Sequence, residues 1–213
     1  MLNVCYSCQE YRADKIIDPS GPFAICPLCQ HKHPFRLLPL LIICGPSAAG
    51  KSTICERLAG TIEEVVILDA DILWRPEFNT PDTQYRDFFE TWLRLGKNIG
   101  QSGRPLLLLN AGAVPENVEP CIERRYFSEV HYLALVCSDE TLVQRLKQRP
   151  SWRKSPNEQF ITGQLAFNRW FKERAADAAP KITLVDTSHT SIETTVEQAE
   201  RWIITSIGAV NYV

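Results

Sequence analysis

Leu40-Leu41-Ile42-Ile43-Cys44-Gly45-Pro46-Ser47-Ala48-Ala49-Gly50-Lys51-Ser52 decides the fold of this chain. Its five leading apolar residues read as a strand buried on both faces. They run into a loop that satisfies G-x-x-x-x-G-K-[ST] in full, and residues 51 to about 59 follow as a helix stopped by Gly60. The chemistry asks for each part. Gly45 and Gly50, with small residues between them, let backbone N–H groups curl around phosphate oxygens with no side chain intervening. The helix that begins near Lys51 adds the positive end of its dipole. Lys51 supplies charge to the β- and γ-phosphates of a nucleoside triphosphate, and Ser52 gives a hydroxyl to magnesium. Ser47, Ala48, Ala49 and Thr53 complete the expected nucleotide contacts.

Outward from this loop, apolar runs alternate with amphipathic segments, the pattern of an α/β fold with a parallel sheet. Strands are expected at 38–44, 65–68, 105–110, 130–137 and 182–185. Between them, helices are expected at about 82–100, 139–149 and 156–178, and a last one opens on the capping-box pattern Thr190-x-x-Glu193. Tyr85, Phe88, Phe89, Trp92, Leu95 and Ile99 fall at helical spacing and read as a core stripe. The fold class is therefore a doubly wound, parallel five-stranded α/β sheet of the P-loop NTPase type over residues 36–213, preceded by a small unit over 1–35. Of the 213 residues, 45% are hydrophobic and 23% charged, and the net charge of −2 gives no global basic field to attract nucleic acid. The longest apolar runs, 37–44 and 106–109, fall far short of the roughly 18 residues that cross a bilayer. The N-terminus lacks the pattern of a signal peptide, so a cytoplasmic address and no membrane partner are expected.

Two cysteine pairs explain how residues 1–35, poor in apolar content, are to fold. Cys5-x-x-Cys8 and Cys26-x-x-Cys29 stand seventeen residues apart, inside the window of a four-cysteine zinc site. Between them lie two strand-like pieces around a turn at Asp18-Pro19-Ser20-Gly21, and the whole resembles a zinc ribbon. Four thiolates would close a tetrahedron, so the Zn2+ would be structural. Disulfides are the weaker alternative in such a compartment. His31 and His33 are expected at the surface, and Cys44, Cys55, Cys121 and Cys137 as small buried thiols.

The kind of phosphate-loop protein follows from what accompanies the loop. After the phosphate loop the sequence carries no D-x-x-G or N-K-x-D of a GTPase and no L-S-G-G-Q of a transporter ATPase. Instead, three further segments complete a resemblance to the small P-loop kinases related to adenylate, shikimate and gluconate kinases. They are the apolar run 65–68 ending in Asp69-Ala70-Asp71, the pair Arg145 and Arg149 in 142–149, and the turn Val185-Asp186-Thr187-Ser188. The resemblance spans Leu38 to the C-terminus. It implies ATP and Mg2+, and a small-molecule acceptor such as a nucleoside, nucleotide or sugar-like alcohol under an arginine-bearing lid. Carried over by position, Lys51, Asp71 and Arg149 would be catalytic, with Asp71 meeting the acceptor. Asp69 would serve magnesium through water, and Arg145 the nucleotide. Arg153 is a further lid candidate. The chain departs from the pattern where Leu106-Leu107-Leu108-Leu109 ends in Asn110 rather than an acid.

Two other functions compete. A polynucleotide 5′-hydroxyl kinase would use the ribbon on nucleic acid, but its Arg12, Lys15, Lys32 and Arg36 are offset by Glu10, Asp14 and Asp18. A nucleotide-gated scaffold with slow turnover would need the loop without the acceptor. Trp74, Arg75, Tyr85 and Arg86 sit in the acceptor-binding stretch of such kinases, but read equally well as structural residues and are left outside the site.

Overall fold

The structure is a computed structural model that describes residues 2–150 and 157–208. Three short antiparallel strands come first: β1 (Ile16–Asp18), β2 (Phe23–Ile25) and β3 (Lys32–Pro34). Five parallel strands follow, β4 (Leu40–Cys44), β5 (Val66–Asp69), β6 (Leu106–Leu109), β7 (Val130–Val136) and β8 (Ile182–Asp186), in the spatial order β5-β6-β4-β7-β8. The helices are α1 (Lys51–Leu58), α2 (Arg86–Gly100), α3 (Pro115–Val118), α4 (Asp139–Lys147), α5 (Glu158–Arg174) and α6 (Ile192–Gly208).

The central strand builds both cores. All five residues of β4 are inaccessible to solvent, and period-2 alternation divides them between the faces. Leu40, Ile42 and Cys44 join the aromatic side with Phe88, Phe89 and Trp92 of α2 and Phe171 of α5. Leu41 and Ile43 join the aliphatic side with Ile54 and Leu58 of α1 and Ala199 and Ile203 of α6. The expected core stripe of α2 is thus present at Phe88, Phe89 and Trp92, with Tyr85 and Ile99 packed against it, but Leu95 is exposed. Cys44, Cys121 and Cys137 are buried as expected, whereas Cys55 is only partly buried, and burial pushes the Cys44 thiol up to about 12.

Boundaries differ where local chemistry intervenes. Three 3₁₀ turns precede α2, at Ala70–Leu73, Pro76–Phe78 and Pro81–Thr83, and the last of them takes up residues expected to open the helix. Two of these start on a proline, and Gln84 and Tyr85 then take φ of 54° and 56°, which ends any continuous helix before Arg86. The last helix is capped by Ser191 rather than Thr190: Thr194 N–H donates to Ser191 Oγ at 3.1 Å, while Thr190 Oγ1 donates to Asp186 O at 2.7 Å. α3, the 3₁₀ segment Ile122–Tyr126 and β3 were not expected from the sequence. The start of the expected helix at 156, and Arg153 with it, lie outside the described residues.

The three-stranded unit docks on the C-terminal half of α2 and on Ile122–Tyr126. Leu2, Ala24 and Phe35 pack on Tyr126, whose hydroxyl donates to Ala13 O at 2.9 Å. Beneath them lies Glu123, fully buried. Its Oε1 accepts from Asn3 Nδ2 at 2.8 Å and from Arg94 Nε at 3.0 Å, and its Oε2 accepts from Lys97 Nζ. Burial lowers the Lys97 ammonium to about 8 against the pull of Glu123. One carboxylate therefore joins the N-terminal segment to α2. Removing one member of a buried ion pair costs about 3–5 kcal/mol, because its partner's charge is left uncompensated. Glu123→Ala should lose that much in a urea titration followed by tryptophan fluorescence. The double variant Glu123→Leu with Lys97→Met should recover most of the loss.

Candidate active site

The loop at the end of β4 depends on its glycines. Gly45 has φ +126°, and a Cβ there would stand 2.3 Å from Leu135 O of the neighbouring strand. Gly50 has φ +110° and precedes α1 with no side-chain cap, which leaves the first-turn N–H groups of the helix facing outward. Lys51 Nζ donates to Gly45 O at 2.8 Å and to Pro46 O at 2.9 Å. Burial of this ammonium within the loop lowers its pKa to about 8, with Cys44, Asp71 and Asp69 pulling the other way. The residue as a whole is only half-buried.

A cavity of about 470 Å³ opens above the loop at the carboxyl edge of β4, β5 and β6. It brings together Ser47, Ala48, Gly50, Lys51, Ser52 and Thr53 with Asp69, Asp71 and Arg149, residues dispersed through a hundred positions of sequence. Gly45 and Ala49 lie in the same loop but do not line this cavity. Asp69 ends β5, and its Oδ1 accepts from Asp71 N–H at 3.0 Å. An extended chain through both residues, the expectation for i and i+2 at a strand end, is therefore not what forms. Asp69 caps the 3₁₀ turn that carries Asp71, yet both carboxylates still reach the cavity.

Arg145 and Arg149 part company. Arg149, beyond the last turn of α4, lines the phosphate-loop cavity. Arg145 Nη1 donates to Thr187 Oγ1 at 2.9 Å and its Nη2 to Thr187 O at 2.8 Å. That fork helps line a second cavity of about 210 Å³, with Ala48, Ala49, Gly50, Thr53 and Ile192. Asn110, at the end of β6, donates its N–H to Ile43 O at 3.1 Å and accepts from Gly112 N–H on Oδ1 at 2.9 Å. One lone pair of its amide oxygen is thereby used, and the residue lines the first cavity. Trp74, Arg75, Tyr85 and Arg86 line neither: Trp74 packs on Tyr85 and Phe88, and Arg75 lies over Phe78. A separate cavity of about 320 Å³ at the opposite edge of β7 and β8, against Arg124, His131 and Trp202, is remote from the loop.

Sequence reading missed Gln164 of α5, whose Oε1 accepts from Ser47 N–H at 2.6 Å, and Asn168, which meets both N–H and C=O of Cys137 at 3.2 and 2.7 Å. Their i, i+4 spacing is the one trace they leave in the sequence, since it puts both on one helix face.

The four N-terminal cysteines converge. Their Sγ atoms lie within 4.8 Å of one another, with Cys5 and Cys29 at 3.5 Å and Cys8 and Cys26 at 3.8 Å. These separations are too long for the roughly 2.05 Å of a disulfide. They match the S···S edge of about 3.8 Å in a tetrahedron with metal–sulfur bonds of about 2.3 Å. Burial opposes ionisation of Cys5, but backbone hydrogen bonds at Cys8 and Ser7 and the side chains of His33 and Cys29 bring its thiol down to about 5. For Cys8 a backbone hydrogen bond at Glu10 lowers the value, but burial and the neighbouring sulfurs push it up to about 12. A divalent cation would remove that repulsion. His33, expected at the surface, is 2% exposed, because pairing with Ala24 in β2 turns its ring inward against Tyr6 and His31.

The sheet order and the loop define a P-loop nucleotide-binding fold. A family model described as an AAA domain matches residues 40–170, and the chain belongs to that family. Among solved structures, a sugar kinase from Janibacter sp. is 17% identical with a TM-score of 0.59, over 83% of this chain and 100% of that one. A gluconokinase from Sinorhizobium meliloti is 17% identical with a TM-score of 0.54, over 82% and 96%. The tunicamycin resistance protein of Deinococcus radiodurans is 15% identical with a TM-score of 0.55, over 79% and 96%. At these identities the likeness speaks for the fold. No curated protein matches the sequence significantly. No described helix is long and apolar enough to cross a membrane.

Proposed function

We propose that this chain is an ATP-dependent phosphotransferase that moves the γ-phosphoryl group of ATP to a small molecule bearing a hydroxyl or phosphate. The observation that carries this reading is the convergence of Lys51, Asp69, Asp71 and Arg149 on one cavity above the phosphate loop. In the proposed reaction the loop and the first turn of α1 hold the phosphates, and Lys51 and Arg149 offset the charge that spreads over the transferring group. Arg145 and Thr187 shape the neighbouring cavity for the nucleoside. Magnesium, if bound, would supply positive charge to neutralise the phosphates; Ser52 and, through water, Asp69 are the residues suited to hold it. Asp71 receives the proton as the acceptor oxygen attacks phosphorus and the bond to the ADP oxygen breaks. The sugar kinase and gluconokinase among the structural neighbours favour a sugar-like alcohol as acceptor, within the broader class of nucleosides, nucleotides and alcohols. On this reading residues 1–35 form a zinc ribbon and residues 36–213 the phosphotransferase domain, with Zn2+ held by Cys5, Cys8, Cys26 and Cys29 in a closed, structural site.

Three outcomes test the reading. Incubation with magnesium, ATP and a pool of polyols, sugars and nucleosides should yield a product heavier by one phosphoryl group. In that assay Asp71→Asn should bind nucleotide and lose transfer, and Asp69→Asn should raise the magnesium requirement. Transfer by Asp71→Asn at the parent rate would sink its role. The second outcome concerns pH. Phosphates beside Lys51 favour its charged form, so the pKa in the complex lies above the value of about 8 in the free protein. Affinity for a fluorescent ADP analogue should therefore be constant below about pH 8 and fall above it, by at most about tenfold per pH unit, until the pKa of the complex is reached. A flat profile from pH 7 to 10 would deny Lys51 this contact. Third, elemental analysis of protein purified without added metal should find one zinc per chain; a Cys–Cys bond and no zinc would overturn the ribbon assignment.

A further inference from the structure

Ala48 has φ +67°, a left-handed conformation that costs a residue bearing a Cβ about 1 kcal/mol or more. Such a turn persists only where its surroundings over-determine it, and α5 supplies those surroundings twice. Ala48 packs against a buried cluster made of Ile161 of α5, Leu142 and Leu146 of α4, and Cys137. One residue earlier, Ser47 N–H donates to Gln164 Oε1 at 2.6 Å. The helix itself is fixed to the end of β7. Asn168 holds Cys137 by both backbone groups, and Lys172 Nζ donates to Cys137 O at 2.6 Å. The sheet thus anchors α5, and α5 in turn anchors the strained turn of the loop. The partner is also chosen for charge. An N–H in a loop built for anions needs a neutral acceptor, since a carboxylate there would repel the phosphates.

We propose that Gln164 is a positioning residue for the phosphate loop, its amide oxygen pinning Ser47 so that Ala48 keeps the left-handed turn through which the loop wraps a phosphate chain. The proposal rests on the nucleotide-binding reading of the loop. Two measurements separate them: hydrogen exchange of the Ser47 amide by NMR, and affinity for N-methylanthraniloyl-ADP with magnesium. In Gln164→Ala the Ser47 amide should exchange faster and the nucleotide should bind about 3–10-fold more weakly, the range expected for one lost neutral hydrogen bond. In Gln164→Glu a carboxylate oxygen still accepts, so Ser47 should stay protected while nucleotide affinity falls, and added salt should shrink that deficit. A purely structural role would not set the two variants apart in this way. Wild-type exchange and wild-type affinity in Gln164→Ala would overturn the proposal, as would equal loss of Ser47 protection in both variants. If the parent protein binds no nucleotide, the reading of the loop fails instead. The exchange data then still decide whether Gln164 holds Ser47.

Discussion

The close approach of Gly45 to Leu135 O constrains most of what surrounds it. β4 is paired on both sides, by β6 and β7, and has no freedom to move away from its neighbour. Where it leaves the sheet the chain must turn with φ +126° beside a backbone oxygen, a geometry open only to glycine. The loop therefore starts from a fixed point and a fixed direction. The helix after it starts at Gly50, again left-handed, so both ends of the loop are set by backbone geometry rather than by side chains. An anion-binding concavity made of main chain keeps its shape whatever the ligand's charge state, and on the proposed reading this is what holding phosphates before and after transfer requires.

The N-terminal unit answers a different demand. It lies against Arg94, Lys97 and Gln101 of α2, and Gly96 in that stretch packs on Leu106, the first residue of β6. Asp69 and Asn110 stand at the other ends of their strands. The unit therefore sits at the amino edge of the sheet, away from the cavity, where it clamps α2 rather than covering an acceptor. Its polar content agrees. Lys15 is fully buried, with Nζ donating to Leu2 O and Arg12 O, and the nearby thiols of Cys5, Cys26 and Cys8 and the carboxylate of Glu123 favour its charge against burial. Buried charges persist in pairs, and here they alternate from the cysteine cluster through Lys15 and Glu123 to Lys97.

What could be read from the sequence followed the range of the interaction. The strand, glycine loop and lysine are contiguous, so residues 40–52 disclosed the fold and one half of the cavity. The paired cysteines disclosed their cluster because each pair closes over two residues. Asp69 and Asp71 were found by position, but their conformation was not, since a strand end gives no sign of whether it will continue extended or be capped by its own carboxylate. Ser191 rather than Thr190 accepts from the first turn of the last helix, and the Thr190 hydroxyl donates back to Asp186 O. His33 was misplaced for want of β3: a histidine in an isolated stretch reads as exposed until a partner strand fixes which way it faces. Gln164 and Glu123 were invisible for the same reason, each being an ordinary polar residue whose importance comes from a distant partner, Ser47 at 117 positions in one case and Asn3 at 120 in the other.

Asn110 shows how charge is balanced across the cavity. Lys51 and Arg149 contribute two positive charges and Asp69 and Asp71 two negative ones, all on its walls. An aspartate in place of Asn110 would leave the walls net negative before any phosphate arrived, and a triphosphate would then enter against repulsion. As it stands, Asn110 is neutral, and one lone pair of its oxygen accepts from Gly112 N–H. A neutral amide attracts a cation and its water less than a carboxylate does, so on the proposed reading that duty falls to Asp69, whose Oδ2 is not used in capping Asp71. The same carboxylate then serves twice. One oxygen fixes the turn that carries Asp71, and on the proposed reading the other would serve the metal, so a single side chain would set the positions of both the proton acceptor and the cation.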